Sequence, residues 1–318
     1  MSANFAGGPA EVVLTASVAR RYYLDGKSKI EIAEEFKLSR FKVSRLIDNA
    51  RASGMVRIEI SHPGTIDVAL SDRMRSRFAL QHAVVVDTPD DEGASLRQHL
   101  GAAAADLLAE IVTTEDVLGL AWARSVSAMT AALTQLATTP VIQLTGALPQ
   151  PDMEDNCVHL VRQAARISGG PAYFFHAPLV VPNAATARAM RRQPEIARAF
   201  AHFGSVTKAV VGVGRWAPGL STIYDAADHR DREQLRQLGT FADISGVAVD
   251  LQGQPVHGGL TDRMIGISAA QMQAIPEVIA IAYGVAKAPA VGAAIRSGLV
   301  NGLVTHSTLA AALLDDCD

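Results

Sequence analysis

The sequence predicts an α/β protein in two parts: an N-terminal helix-turn-helix domain over residues 11–62, then a larger, doubly wound, mostly parallel α/β domain over residues 63–318. Two observations predict it. From Ala83 onward, short β-branched runs alternate with longer helical stretches. Strands that are apolar throughout need cover on both faces, which is the signature of a parallel sheet. Ahead of them, serine-led helical signals crowd the chain before Gly54, with basic residues gathered on one of the helices.

Taken in order, Val12, Leu14, Val18 and Tyr22 space a first helix that ends near Asp25-Gly26. Ser28 caps a second, with Glu31 at capping-box distance. Ser39 caps a third, which runs to Ser53 with Gly54 as its stop. The alternation of Met55–Ile60 predicts a short strand, the first sign of a wing. Ser61–Thr65, with Pro63-Gly64, opens the linker, and a connecting helix covers Val68–Phe78. The sheet strands are expected at Ala83–Val86, Val117–Leu120, Val141–Leu144, Val206–Val211, Val278–Ala282 and Gly302–Thr305.

Composition limits what such a chain can be. It is 49% hydrophobic and 19% charged, enough for a large core, and only 5% aromatic, so Ala, Val, Leu and Ile must build that core. No apolar run is long enough to span a bilayer, and Met1–Ala10 lacks the basic and apolar regions of a signal peptide. Cys157 and Cys317, the two cysteines, stand in no metal-type spacing, and a cytoplasmic protein without membrane partner is expected. The net charge of −3 is unevenly spread: residues 11–60 hold ten Lys/Arg against seven Asp/Glu, leaving 19 against 25 elsewhere. Between Lys37 and Arg57 there are six basic residues and one acid, Asp48. A basic stripe on an acidic protein binds phosphates locally.

That stripe falls on the third helix. Ile32, Phe36, Leu38, Val43 and Leu46 face inward, Ala33 is small enough for two helices to cross, and Ser39, Arg40, Lys42, Ser44 and Arg45 face out. The start of a recognition helix must offer donors to base edges and phosphates. Arg40 or Arg45 can bond a guanine twice, while Lys42 and the hydroxyls of Ser39 and Ser44, with Lys29 on the preceding helix, can grip phosphates. The stretch resembles the winged helix-turn-helix of bacterial repressors, with Lys37 where such motifs usually place Gly.

Further on, Gly119-Leu-Ala-Trp-Ala-Arg-Ser-Val126, Gln143-Leu-Thr-Gly-Ala147 and Val211-Gly-Val-Gly214 stand in family order. So do Ala242-Asp-Ile-Ser-Gly246, Val249-Asp250 and Ile275-Pro-Glu-Val-Ile-Ala-Ile-Ala-Tyr-Gly-Val-Ala-Lys287. Together they resemble the SorC family of sugar-binding transcriptional regulators, from about Thr15 to near the end. The resemblance implies a repressor or activator, commonly a homotetramer, whose larger domain has a fold like sugar-phosphate isomerases. It implies as partners operator DNA and a phosphorylated sugar or related polyol effector, at Trp122, Arg124, Ser125, Thr145, Gly146, Gly212, Gly214, Asp243 and Lys287. The residues suit this. Trp122-Ala-Arg124-Ser125 lies between a strand and a helix expected to run to Ala137, and Gly284 to Lys287 repeats the arrangement, giving two anion-seeking loops at strand ends. Three departures mark this chain: Tyr283 where members often have Gly, Ser125 where Thr is commoner, and His306-Ser307 for an acidic pair.

An isomerase- or deaminase-like enzyme of the same fold is the alternative. It would need a base beside the sugar carbonyl, and Asp243, Asp250 and Asp262 have no evident His or Glu neighbour. It would also leave residues 11–60 without a role. Gly212-Val-Gly214 lacks the rest of a dinucleotide fingerprint and the nine histidines show no metal-type pair, so no catalytic residue, cofactor or metal is expected.

Overall fold

The computed structural model describes residues 8–56, 65–88, 93–148 and 157–315. The chain divides into two compact units, residues 1–61 and 62–318.

Unit one is built on three helices, α1 (Pro9–Tyr23), α2 (Lys29–Phe36) and α3 (Arg40–Ala52), closed around Val18, Ile32, Val43, Leu46 and Ile47. The expected caps are in place. Ser28 accepts from the Glu31 N–H while the Glu31 carboxylate accepts from the Ser28 N–H at 2.8 Å, and Ser39 accepts from the Lys42 N–H. Lys37 takes the left-handed conformation that a glycine would take more cheaply (φ 54, ψ 44). Its N–H still reaches the Ala33 and Glu34 carbonyls, so the turn closes. The strand expected over Met55–Ile60 falls from residue 57 on outside the described residues, as do residues 61–64 of the linker.

Among its described residues unit two carries nine strands: β1 (His82–Val86), β2 (Leu118–Leu120), β3 (Val141–Gln143), β4 (Ala172–Tyr173), β5 (Lys208–Arg215), β6 (Ala242–Ile244), β7 (Val247–Val249), β8 (Glu277–Ile281) and β9 (Gly302–His306). Its longer helices are α4 (Val68–Phe78), α5 (Ala94–Ile111), α6 (Arg124–Ala132) and α7 (Cys157–Ser168). Then come α8 (Ala184–Arg191), α9 (Pro194–Phe200), α10 (Thr222–Ala226), α11 (His229–Gln237), α12 (Ala269–Gln273), α13 (Ala288–Arg296) and α14 (Ser307–Asp315). Seven strands form a parallel sheet in the order β1-β9-β8-β5-β2-β3-β4. β6 and β7 form an antiparallel hairpin joined to the far end of β5.

The twofold side-chain alternation of the strands sorts the core into two layers. Leu118, Leu120, Val210, Ile279, Ile281 and Val304 pack under α5, α6 and α7. Ala209, Val211, Val278, Ala280 and Leu303 face the other layer, with buried residues of α4, α13 and α14. The doubly wound, mostly parallel expectation therefore holds, with the hairpin and β4 as additions. One helix is shorter than expected: α6 ends at Ala132 rather than Ala137. The Thr130 hydroxyl bonds back to the Val126 carbonyl, and Leu133 turns extended (ψ 122) and buries itself in the core.

Small residues set the helix spacing. A Cβ on Gly101 of α5 would sit 2.6 Å from the Ala128 carbonyl carbon of α6. Alanine normally improves a helix by about 1 kcal/mol over glycine, but overpacking against backbone costs about 1–3 kcal/mol. Gly101→Ala is therefore expected to lower the urea midpoint, and an unchanged or raised midpoint would show that α5 and α6 can separate freely.

The amino ends of the strands hold a buried charge cluster. Lys208 Nζ lies 2.9 Å from Glu277 Oε2 and 3.7 Å from Asp116 Oδ1, and His82 Nε2 lies 3.2 Å from Glu277 Oε1. The opposite, carboxyl ends of the strands are where the loops converge.

Candidate functional site

A cavity of about 220 Å³ opens at the carboxyl ends of β2, β5 and β8 and beside the β6–β7 hairpin. All nine residues expected to hold an effector line it: Trp122, Arg124, Ser125, Thr145, Gly146, Gly212, Gly214, Asp243 and Lys287. Sequence reasoning missed Arg97, Ser221 and Ser245, which line it too, and noted Tyr283 only as a departure.

Local folding explains each placement. β2 ends at Leu120, and the chain turns through Trp122, whose N–H donates to Thr145 Oγ1 at 3.1 Å and so ties the β2 and β3 loops together. Glycines let the backbone walls close. A Cβ on Gly212 would meet the Ala123 Cβ at 2.6 Å, and one on Gly146 would meet the Pro178 carbonyl at 2.7 Å. A Cβ on Gly214 would press on Asp243 Oδ2 and on the Ser221 Cβ. Ser245 sits at the two-residue hairpin turn with positive φ at both Ser245 and Gly246, and its hydroxyl accepts from the Gly212 N–H at 3.0 Å. The hairpin, whose strand β6 holds Asp243 over the cavity, is thereby locked to β5.

Three helices begin at the cavity: α5 behind Gly93, α6 behind Ala123 and α13 behind Lys287. None has a side-chain cap, whereas α2, α3, α4, α8 and α11 all begin on a Ser, Asp or Asn that accepts from the helix's own N–H. At α5 and α6 an uncapped start leaves N–H donors and the positive end of the helix dipole for an anion, worth about 0.3–1 kcal/mol per helix, whereas at α13 the Ala288 N–H bonds the Val285 carbonyl and Pro289 has no N–H. Arg97, Arg124 and Lys287 add three cations. Lys287 Nζ lies 4.9 Å and the Arg97 guanidinium 5.9 Å from the centre of the Tyr283 ring, so Tyr283 supports two of them.

Against these stands one carboxylate among the described lining residues, Asp243. Burial pushes its carboxyl above the ordinary range, while the Ser221 hydroxyl, the Lys287 ammonium and the Gly246 N–H pull the other way. Asp243 Oδ2 is buried without a hydrogen-bond partner. Such an acceptor asks for a donor from whatever fills the cavity.

Two departures gain a physical account. The Ser125 hydroxyl donates to the Ile281 carbonyl at 3.0 Å, so it braces α6 against β8 and its proton is not free for a ligand. His306, fully buried at the end of β9, accepts the Gly284 N–H on Nε2 at 3.1 Å and pins the turn that carries Lys287. Acid–base chemistry finds little support: Cys157, near Thr145, is pushed up to about 12 by burial and stays a thiol. Among the described residues no group of three or more His, Cys, Asp or Glu can hold a metal ion.

In unit one, Ser39, Arg40, Lys42 and Arg45 are exposed at the start of α3, and Ser44 is half-buried. The side chains of Arg40, Lys42 and Arg45 make no hydrogen bond or ion pair among the described residues. The Lys29 ammonium donates to Ser44 Oγ at 3.1 Å and joins α2 to α3. Arg21 pairs with Asp25 and Glu35, and Lys27 with Glu35, which the two cations hold below the usual carboxylate range, with Lys27 the stronger influence. Among the described residues of this unit, the start of α3 gathers three exposed cationic side chains without an acidic partner.

Comparison with known proteins decides what this pairing of units is. Residues 63–315 match the family described as "Putative sugar-binding domain". The chain is 31% identical over 306 residues to YjhU, an uncharacterized transcriptional regulator of Escherichia coli (strain K12), covering 92% of each. The chain belongs to the SorC family of sugar-binding transcriptional regulators. The regulator LsrR of Klebsiella pneumoniae is 28% identical over 309 residues, covering 96% of this chain and 94% of its own. In fold, the full-length sorbitol operon regulator SorC of Klebsiella pneumoniae superposes with a TM-score of 0.74 at 21% identity, over 95% of this chain and 98% of that one. A transcriptional regulator from Streptococcus pneumoniae TIGR4 gives 0.71 at 22% identity, over 79% and 97%. Within the SorC family the chain is a regulator and not an enzyme. No helix among its described residues is long and apolar enough to cross a membrane.

Proposed function

We propose that this regulator controls a sugar or polyol operon by holding a phosphorylated sugar, or a related polyol, in the cavity and operator DNA on α3. The observation that carries the reading is the meeting of two open helix starts, those of α5 and α6, and three cations on a cavity with one carboxylate, whose Oδ2 has no hydrogen-bond partner. That is the pattern of a ligand with an anionic end and a hydroxyl end. Lys287, Arg124 and the N–H groups opening α6 hold the anion, Asp243 accepts from a hydroxyl, and Trp122, Thr145, Gly146, Gly212 and Gly214 shape the walls. Ser39, Arg40, Lys42, Ser44 and Arg45 contact DNA, with Lys29 acting through Ser44. One such unit covers little DNA, so a symmetric oligomer on a palindromic operator is expected, a tetramer in keeping with the family, in the cytoplasm where that DNA lies.

Calorimetric titration with matched hexose and pentose phosphates and their free sugars tests the cavity assignment. A hydrogen bond to a charged group contributes about 1.5–3 kcal/mol, so Lys287→Ala should weaken a phosphorylated ligand about tenfold to a hundredfold. Asp243→Asn should weaken phosphorylated and free forms alike. Tight binding of a free sugar alone, indifferent to Lys287→Ala, would refute the anion cradle.

A further inference from the structure

Phe41 is the most exposed large apolar side chain among the described residues, at 86%. A phenylalanine stabilises a fold only when it is buried, so a ring left in water does nothing for the fold of unit one. The core there is complete without it: Phe36 and Leu38 pack on that core, and Phe41 does not. It is the second residue of α3, in a first turn that contains no acid. Arg40 and Lys42 flank it, and Arg45 lies one turn on along the same face. All three are exposed. An apolar protein partner covering the ring would have to strip water from those cations without supplying charge. A polyanion accommodates all of them. In the major groove the one apolar feature on a base edge is the C5-methyl group of thymine, and phenylalanine is among the side chains that meet it.

We propose that Phe41 is a specificity-determining residue of the DNA-reading unit, packing against the C5-methyl of one thymine in each operator half-site. The proposal rests on the reading of α3 as the recognition helix. Phe41 supplies sequence information that arginine–phosphate contacts lack, at a step next to the bases read by Arg40 or Arg45.

The test begins with a duplex selected from random oligonucleotides by the full-length wild-type protein. Its thymines are then replaced one symmetric pair at a time by deoxyuridine, which removes only the methyl group. Burial of one such carbon is worth about 0.8 kcal/mol, so one pair should weaken wild-type binding about fourfold per half-site and about fifteenfold in total. Phe41→Ala, which removes a solvent-exposed ring and leaves the fold intact by circular dichroism, should bind the thymine duplex more weakly and no longer distinguish it from the deoxyuridine one. A wild type indifferent to every deoxyuridine, or a Phe41→Ala protein with the wild-type ratio, overturns the proposal while leaving α3 as the recognition helix. If the wild type selects no sequence, or Arg40→Ala/Arg45→Ala selects the same one with equal affinity, the recognition-helix reading fails, and Phe41 with it.

Discussion

Operator affinity is expected to fall about a thousandfold or more between about 50 and 200 mM salt, because a dimeric pair of basic helices releases counterions from several phosphates. The cations responsible are few. With Arg21 and Lys27 tied to Glu35, and Lys29 donating to Ser44, the exposed Arg40, Lys42 and Arg45 remain on the reading face. Each phosphate contact contributes about 0.9 to the slope of log affinity against log salt. Arg40→Ala/Arg45→Ala should therefore reduce the slope if the arginines grip phosphates. If they read guanines it should instead leave the slope nearly unchanged and lose about 1–3 kcal/mol per contact. Fluorescence anisotropy at several salt concentrations separates the two. Equal affinity of variant and wild type throughout would remove α3 from the interface.

Lys208→Met is expected to destabilise unit two by about 3–5 kcal/mol, a large part of the total stability of a typical domain. Glu277 is 3% exposed, and losing the ammonium 2.9 Å away leaves its charge buried beside a half-exposed His82. Replacing both residues, as Lys208→Met/Glu277→Met, should recover most of the loss, since an apolar pair of similar volume is often as stable as a buried ion pair. The cluster also fixes the acid limit. Burial pushes the Asp116 carboxyl up, but the Thr113 N–H, the Thr207 and Thr113 hydroxyls and Lys208 outweigh it and hold it below its ordinary range. A lowered carboxyl stabilises the fold above its unfolded-state value and loses that contribution as the pH falls through the folded one, so the loss should begin below about pH 4. Urea unfolding across pH measures both effects. A Lys208→Met protein as stable as wild type would show that the cluster is solvated.

The sequence made the scaffold legible where local rules decide. Ser28, Glu31 and Ser39 announced the helix starts because a cap acts within three residues, and the continuous apolar runs around Val210 and Val278 could only be strands covered on both sides. The β6–β7 hairpin went unread although Ser245-Gly246 is a turn signal, because each strand is three residues long and too short to show alternation. In the site, the helix-start residues Arg124, Ser125 and Lys287 were readable from a strand, a small turn and a basic residue in succession. Arg97 was not, because what brings it to the cavity is the packing of α5 beside Tyr283, far along the chain. Nor was the engagement of the Ser125 hydroxyl by Ile281, which depends on β8 lying next to β5 rather than on anything near Ser125.

If the cavity controls the DNA-reading unit, the ligand must bind one arrangement of the protein better than another, and the coupling must be reciprocal. The direct measurement is operator affinity with and without the tightest sugar phosphate from calorimetry, together with that ligand's affinity with and without operator. A shift of about fivefold to 150-fold is expected, equal in the two directions, and absent in Lys287→Ala, whose affinity for operator without ligand stays at the wild-type value. A ligand that fills the cavity yet leaves operator affinity unchanged would contradict the account.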